Sequence, residues 1–212
     1  MDQVLKWLDD SKFIAFIRSS SAEDAEEMIK AAMAGGIRTF EVSMHTPQAL
    51  RLIENYSKRE GILVGAASLT DGEMTQRVVN AGAKFVSSQY TDRDIISVAK
   101  HNDSFVIQGA LTPNEVMNAH QLGADAIKIY PVDSMGGVEY MKDLRAALPA
   151  VKLIADGEPT LENAFEYLKY CVAVTLREAI CDRPLVRTDN WLEMTERSKQ
   201  FTQRLETHKV VK

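Results

Sequence analysis

Eight short apolar runs, each followed by an amphipathic stretch, repeat along the chain, and this alternation limits its fold more than any other feature. The apolar runs fall at residues 13–17, 37–44, 62–66, 84–88, 104–108, 124–130, 151–155 and 171–176. Helical patterns follow at 21–34, from Thr46-Pro47 onward, and at 71–81, 92–101, 112–123, 138–147, 160–168 and 188–206. Helix signals punctuate them. Ser21 with Asp24 three residues on reads as an N-cap, and Gly35-Gly36 as the stop. Thr112-Pro113-Asn114-Glu115 reads as a capping box. Ala81-Gly82-Ala83 and Gly123-Ala124-Asp125 look like repeated helix-to-strand turns. Strands alternating with helices imply parallel βαβ units, and eight of them imply a closed (β/α)8 TIM barrel. The expectation is a single α/β domain over residues 1–212 with a C-terminal covering helix at about 188–206. A doubly wound open sheet is the rival fold. It would carry a glycine fingerprint after the first strand, and Arg18-Ser19-Ser20-Ser21 is not one.

Charge excludes some classes of partner. The 25 basic and 30 acidic residues leave a net charge of −5. That gives neither the basic footprint of a nucleic-acid binder nor a lure for an anionic membrane. No apolar run approaches the roughly 20 residues that span a bilayer. The start, Met1-Asp2-Gln3-Val4-Leu5-Lys6-Trp7, lacks a secretory apolar core. Cys171 and Cys181 form neither a metal pair nor a disulfide framework; Cys171 reads as a core residue. A cytoplasmic protein with both thiols reduced is expected.

In such barrels chemistry sits at the C-terminal ends of the strands. Two charges stand inside otherwise apolar strands: Glu41 in Phe40-Glu41-Val42 and Lys128 in Ile127-Lys128-Ile129. Lysine is almost never fully buried unless paired. Burial favours the neutral form of an amine, and a neutral amine can attack a carbonyl to form an imine. The bland reading is a buried ion pair. The functional one is an imine-forming Lys128 with Glu41 shuttling protons. His101 and His120 lie near helix ends and read as solvated.

These segments resemble the class I 2-keto-3-deoxy-6-phosphogluconate (KDPG) and 4-hydroxy-2-oxoglutarate (KHG) aldolases. The resemblance runs from about Phe13 to Cys181. Its carriers include Glu41-Val42-Ser43-Met44-His45-Thr46-Pro47, Gly109-Ala110-Leu111-Thr112-Pro113-Asn114-Glu115, Ile127-Lys128-Ile129-Tyr130-Pro131 and Gly136-Gly137. It implies that Lys128 forms the imine, that Glu41 moves protons, and that Tyr130 lines the pyruvyl pocket. It implies pyruvate as partner, no cofactor, no metal and a homotrimer. His45, Ser68, Arg18 and Gln108 complete the expected substrate-binding set.

The departures from that family are informative. His45 stands where it usually has an arginine that grips the pyruvyl carboxylate; histidine is shorter and offers no fork. Arg18 is expected to compensate in part. At the expected phosphate site the chain reads Asp156-Gly157-Glu158-Pro159 and Leu176-Arg177-Glu178, in place of the family's glycine-rich cradles. Proline has no N–H to give. Each carboxylate about 4 Å from a phosphate charge costs on the order of a few kcal/mol. Arg177 is expected to pair with Glu178 or Asp156. An unphosphorylated 2-keto acid is the expected substrate. Asp156, Glu158 and Glu178 as a metal cluster is disfavoured, because an imine mechanism needs no metal. Decarboxylation of oxaloacetate, a noncatalytic or regulatory barrel, and a phosphate-binding isomerase are the alternatives.

Overall fold

A computed structural model describes residues 2–210. Its eight parallel strands pair each with the next, and the eighth with the first, into a closed barrel. They are β1 (Phe13–Ile17), β2 (Thr39–Ser43), β3 (Leu63–Ala67), β4 (Phe85–Ser87), β5 (Phe105–Ala110), β6 (Ala126–Ile129), β7 (Leu153–Asp156) and β8 (Ala173–Leu176). The open-sheet rival is thereby removed.

Ten α-helices accompany them among the described residues: α1 (Asp2–Ser11), α2 (Ala22–Ala34), α3 (Ala49–Ser57), α4 (Gly72–Asn80), α5 (Arg93–His101), α6 (Pro113–Gln121), α7 (Val138–Ala147), α8 (Ala164–Tyr167), α9 (Arg183–Arg187) and α10 (Trp191–Val210). A 3-10 turn at Val132–Met135 follows β6. The expected caps form. Ser21 accepts from the Asp24 amide, and Thr112 and Glu115 make the reciprocal capping box. Gly82 and Gly123 both adopt left-handed φ values, +96° and +101°, where a side chain would be strained.

Three elements differ from the sequence expectation. The helix placed at Thr46-Pro47 begins only at Ala49, after Gln48 turns left-handed at φ 56°. The expected C-terminal helix forms as α10 from Trp191, and a short helix that the sequence pattern does not predict, α9, precedes it with Asp182 as its cap. The sequence reading also placed no helix before β1, where α1 forms.

Side chains on a strand alternate between its two faces. Outward residues pack against the helices in one large apolar cluster. Inward residues form a second: Ile14, Leu63, Phe85, Phe105, Ile107, Ala126, Ile154 and Ala173, joined by Leu8 of α1. Leu8 is fully buried and the Trp7 indole donates to Thr39 Oγ1, so α1 closes the N-terminal mouth of the barrel. The lumen therefore has an apolar floor. The same parity places Glu41, Lys128, Asp156 and Thr175 on the lumen side, above that floor.

Candidate active site

Lys128 rises from β6 into the lumen and meets two carboxylates. Its Nζ donates to Glu41 Oε1 at 2.5 Å and Oε2 at 2.7 Å, and lies 3.3 Å from Asp156 Oδ2. Lys128 is 2% exposed; Glu41 and Asp156 are fully buried. Ser87, an inward residue of β4, donates to Glu41 Oε2 at 3.0 Å and stands 3.5 Å from Lys128 Nζ. Neither acid is left unpaired, as burial of charge requires.

Asp156 is shared. Arg177, just past β8, donates from Nε to Asp156 Oδ1 at 2.7 Å and from Nη2 to Oδ2 at 2.9 Å. This is the two-pronged geometry in which arginine binds carboxylates most strongly. The guanidinium lies 3.8 Å from the Phe16 ring centroid and 5.1 Å from that of Tyr130. Burial, the largest single influence, pushes the Arg177 pKa down; the hydrogen bond and charge of Asp156, with Glu41 and Tyr130, together outweigh it and raise it above the ordinary arginine value. Two cations and two anions thus balance in one buried quartet.

Arg177 and Phe16 line an open cleft of about 620 Å³. Arg18 and His45 line it too, both exposed. Ser68, left-handed at φ 63°, shares a 3.0 Å hydrogen bond with the Ser43 hydroxyl. Tyr130 is half-buried beside Arg177. Gln108 is not brought to this group. Its inward neighbours on β5 are Phe105 and Ile107, so Gln108 faces the helices, where its carboxamide accepts from the Asp92 amide at 2.7 Å. It caps the entry to α5 and does not reach the lumen.

Asp156 and Arg177, which the sequence places at the expected phosphate site, stand instead beside Lys128, and Ser87, absent from the sequence expectation, joins them. The missing signal was parity: Ile154 and Asp156, Ala173, Thr175 and Arg177, and Phe85 and Ser87 each fall two apart on the lumen side. Of the two strand-end acids weighed against Arg177, Asp156 is the partner. Glu158 and Glu178 are exposed along the cleft. Partial burial of its carboxyl first, and then the neighbouring Glu178, raise the pKa of Glu158. Burial pushes the Cys171 and Cys181 thiols up to about 12, so neither is a ready nucleophile.

The loop after β7 is tied to the turn after β6. The Asp133 carboxylate, from the turn after β6, accepts the Glu158 amide at 2.5 Å and the Tyr167 hydroxyl at 2.9 Å. A Cβ on Gly157 would stand 2.0 Å from Asp133 Oδ2, so only glycine lets the loop close onto it.

A family model for KDPG and KHG aldolases matches residues 4–196. A 2-dehydro-3-deoxy-phosphogluconate aldolase of Zymomonas mobilis is 28% identical over 146 residues, 69% of this chain and 70% of that protein. One of Pseudomonas aeruginosa is 24% identical over 207 residues, 94% of this chain and 92% of that protein. Among solved structures, a KDPG aldolase of Legionella pneumophila, with pyruvate captured as a covalent carbinolamine, superimposes with a TM-score of 0.79 at 26% identity. That match covers 91% of this chain and 94% of the other.

Proposed function

Because the chain belongs to the KDPG and KHG aldolase family, we propose that it is a class I aldolase cleaving a 2-keto acid to pyruvate and a small, unphosphorylated aldehyde. The observation that carries this is the Lys128 amine held at 2.5 and 2.7 Å from both oxygens of Glu41 in a water-poor lumen. The carbinolamine of the Legionella relative is a point of support from outside the chain.

In this reading Lys128 gives a proton to Glu41, the neutral Nζ adds to the keto carbon, and Glu41 returns the proton to the carbinolamine hydroxyl, which leaves as water to give the protonated imine. The protonated imine accepts the electron pair of the C3–C4 bond as it breaks. Glu41 takes the proton of the C4 hydroxyl, so the aldehyde leaves neutral and an enamine stays on Lys128. Glu41 returns that proton to C3, and water releases pyruvate and the free amine. Ser87 holds Glu41 toward Nζ. Tyr130, His45, Ser68 and Arg18 shape the pocket.

Support for an unphosphorylated tail comes from the β7 loop. Its Glu158 amide is already bound by Asp133, and Pro159 has none. Backbone amides are what a phosphate cradle needs. The test is pyruvate release from 4-hydroxy-2-oxoglutarate and from 2-keto-3-deoxygluconate with and without its 6-phosphate. Turnover that favours the unphosphorylated compounds, and that Lys128→Ala abolishes, is expected. A preference for the phosphate ester would overturn this part.

One observation favours a second reading. The quartet is charge-balanced, as in a structural ion-pair network; a noncatalytic barrel would show no pyruvate release from any 2-keto acid. The imine would also permit decarboxylation of oxaloacetate. A homotrimer and a cytoplasmic location belong to the same proposal. Light scattering tests the assembly.

A further inference from the structure

Resting on the imine reading, the geometry points to Arg177 as the residue that selects a carboxylate on the ligand's keto carbon. Four observations converge on it. Asp156 Oδ2 is 3.3 Å from Lys128 Nζ and 2.9 Å from Arg177 Nη2, so the two nitrogens lie at most about 6 Å apart. A carboxylate one bond from a carbon attached to Nζ reaches that far and still hydrogen-bonds the guanidinium. Second, only Nε and Nη2 are engaged by Asp156; Nη1 has no acceptor among the described residues. Third, the Phe16 face at 3.8 Å fixes the guanidinium plane, so the free edge is pre-oriented.

The fourth observation is position. Arg177 lines the cleft, whereas Lys128 is buried behind it. A ligand entering from the cleft meets Arg177 on its way to the amine. Arg18, Arg183 and Arg187 also line the cleft, but all three are exposed and none is braced by a described carboxylate. Exposed, unbraced cations attract anions without fixing their geometry. Arg177 alone combines charge, a braced fork and reach to Nζ. Its specificity is for an α-keto carboxylate over the corresponding uncharged ketone or amide, because a neutral group leaves Nη1 without an anionic partner.

Borohydride trapping of the full chain with pyruvate and with pyruvamide, its uncharged analogue, tests this. Wild type is expected to trap pyruvate on the order of a hundredfold faster at equal low concentration. Arg177→Gln should lose that preference: leaving Asp156 to Lys128 alone slows both compounds, but pyruvate should slow by far the larger factor, bringing the ratio of the two rates toward one. Arg177→Lys, which keeps the charge beside Asp156 but not the fork, should fall between, with melting curves showing that each variant folds. A preference that survives Arg177→Gln, or that disappears instead with Arg18→Gln or His45→Gln, overturns the assignment. If wild type traps neither compound, the imine reading fails by itself. Arg177 is then judged by calorimetric titration with pyruvate: binding lost in Arg177→Gln supports it, and binding unchanged, or absent from wild type, refutes it.

Discussion

Lys128 is neutralised by two carboxylates and shares one of them with Arg177, so removing any one member strands a buried charge. Lys128→Met leaves Glu41 with only the Ser87 hydroxyl. It should destabilise the fold by about 3–5 kcal/mol, read from chemical denaturation, and abolish activity. Adding Glu41→Leu removes the stranded acid while leaving Asp156 to Arg177. The double variant should regain most of the lost stability and none of the activity. A double variant no more stable than the single one would show that the pair does not act as a unit. Lys128 and Glu41 were legible in the sequence because a lone charge in a buried strand breaks an apolar run. Asp156 and Arg177 were visible as departures at the expected phosphate site, with their pairing one of two alternatives. Their pairing depends on both facing inward across β7 and β8, which is a matter of parity. Gln108 shows the same limit: it too ends a strand, but on the outward parity.

The elements that deliver the site are the loops after β6 and β7. Asp133 from the first ties down the backbone of the second, and Gly157 admits it. Gly157→Ala forces a Cβ into that carboxylate and should cost about 1–3 kcal/mol in thermal unfolding. Unchanged stability would mean that the loop has slack. Glu158 on the same loop bears on pH. Its raised carboxyl pKa means the folded chain holds that proton more firmly than the unfolded chain. Its contribution to stability is present below the ordinary glutamate pKa and is lost as pH rises through the raised value. For the same reason acidification removes a negative charge from the cleft. Pyruvate affinity should rise as pH falls through that range, and Glu158→Gln should flatten the dependence, read by calorimetric titration at several pH values. An unaltered slope in the variant would assign the effect elsewhere. Helix ends carrying side-chain caps, as at Ser21 and Thr112, were readable from sequence. The start of α3 was not, because Gln48 enters it through a left-handed turn with no side-chain cap.

At the scale of the whole molecule, the barrel was legible because two periodicities alternate eight times and the glycine fingerprint of the rival open sheet is absent after the first strand. What tertiary closure added was the meeting of β6, β7 and β8 side chains with Glu41 of β2, across the lumen. α1 closes the opposite mouth through Leu8 and Trp7. Chemistry is thereby confined to the cleft side, and inorganic phosphate should raise the melting temperature less than pyruvate does. A larger shift with phosphate would restore a phosphate site. The central claim is that Lys128 forms an imine with a keto acid. Incubation with pyruvate and borohydride, followed by peptide mass analysis, tests it most directly. The account predicts a pyruvate-sized reduced adduct on the peptide carrying Lys128, absent in Lys128→Ala. No adduct at millimolar pyruvate in folded protein would contradict it and leave the quartet as a structural network.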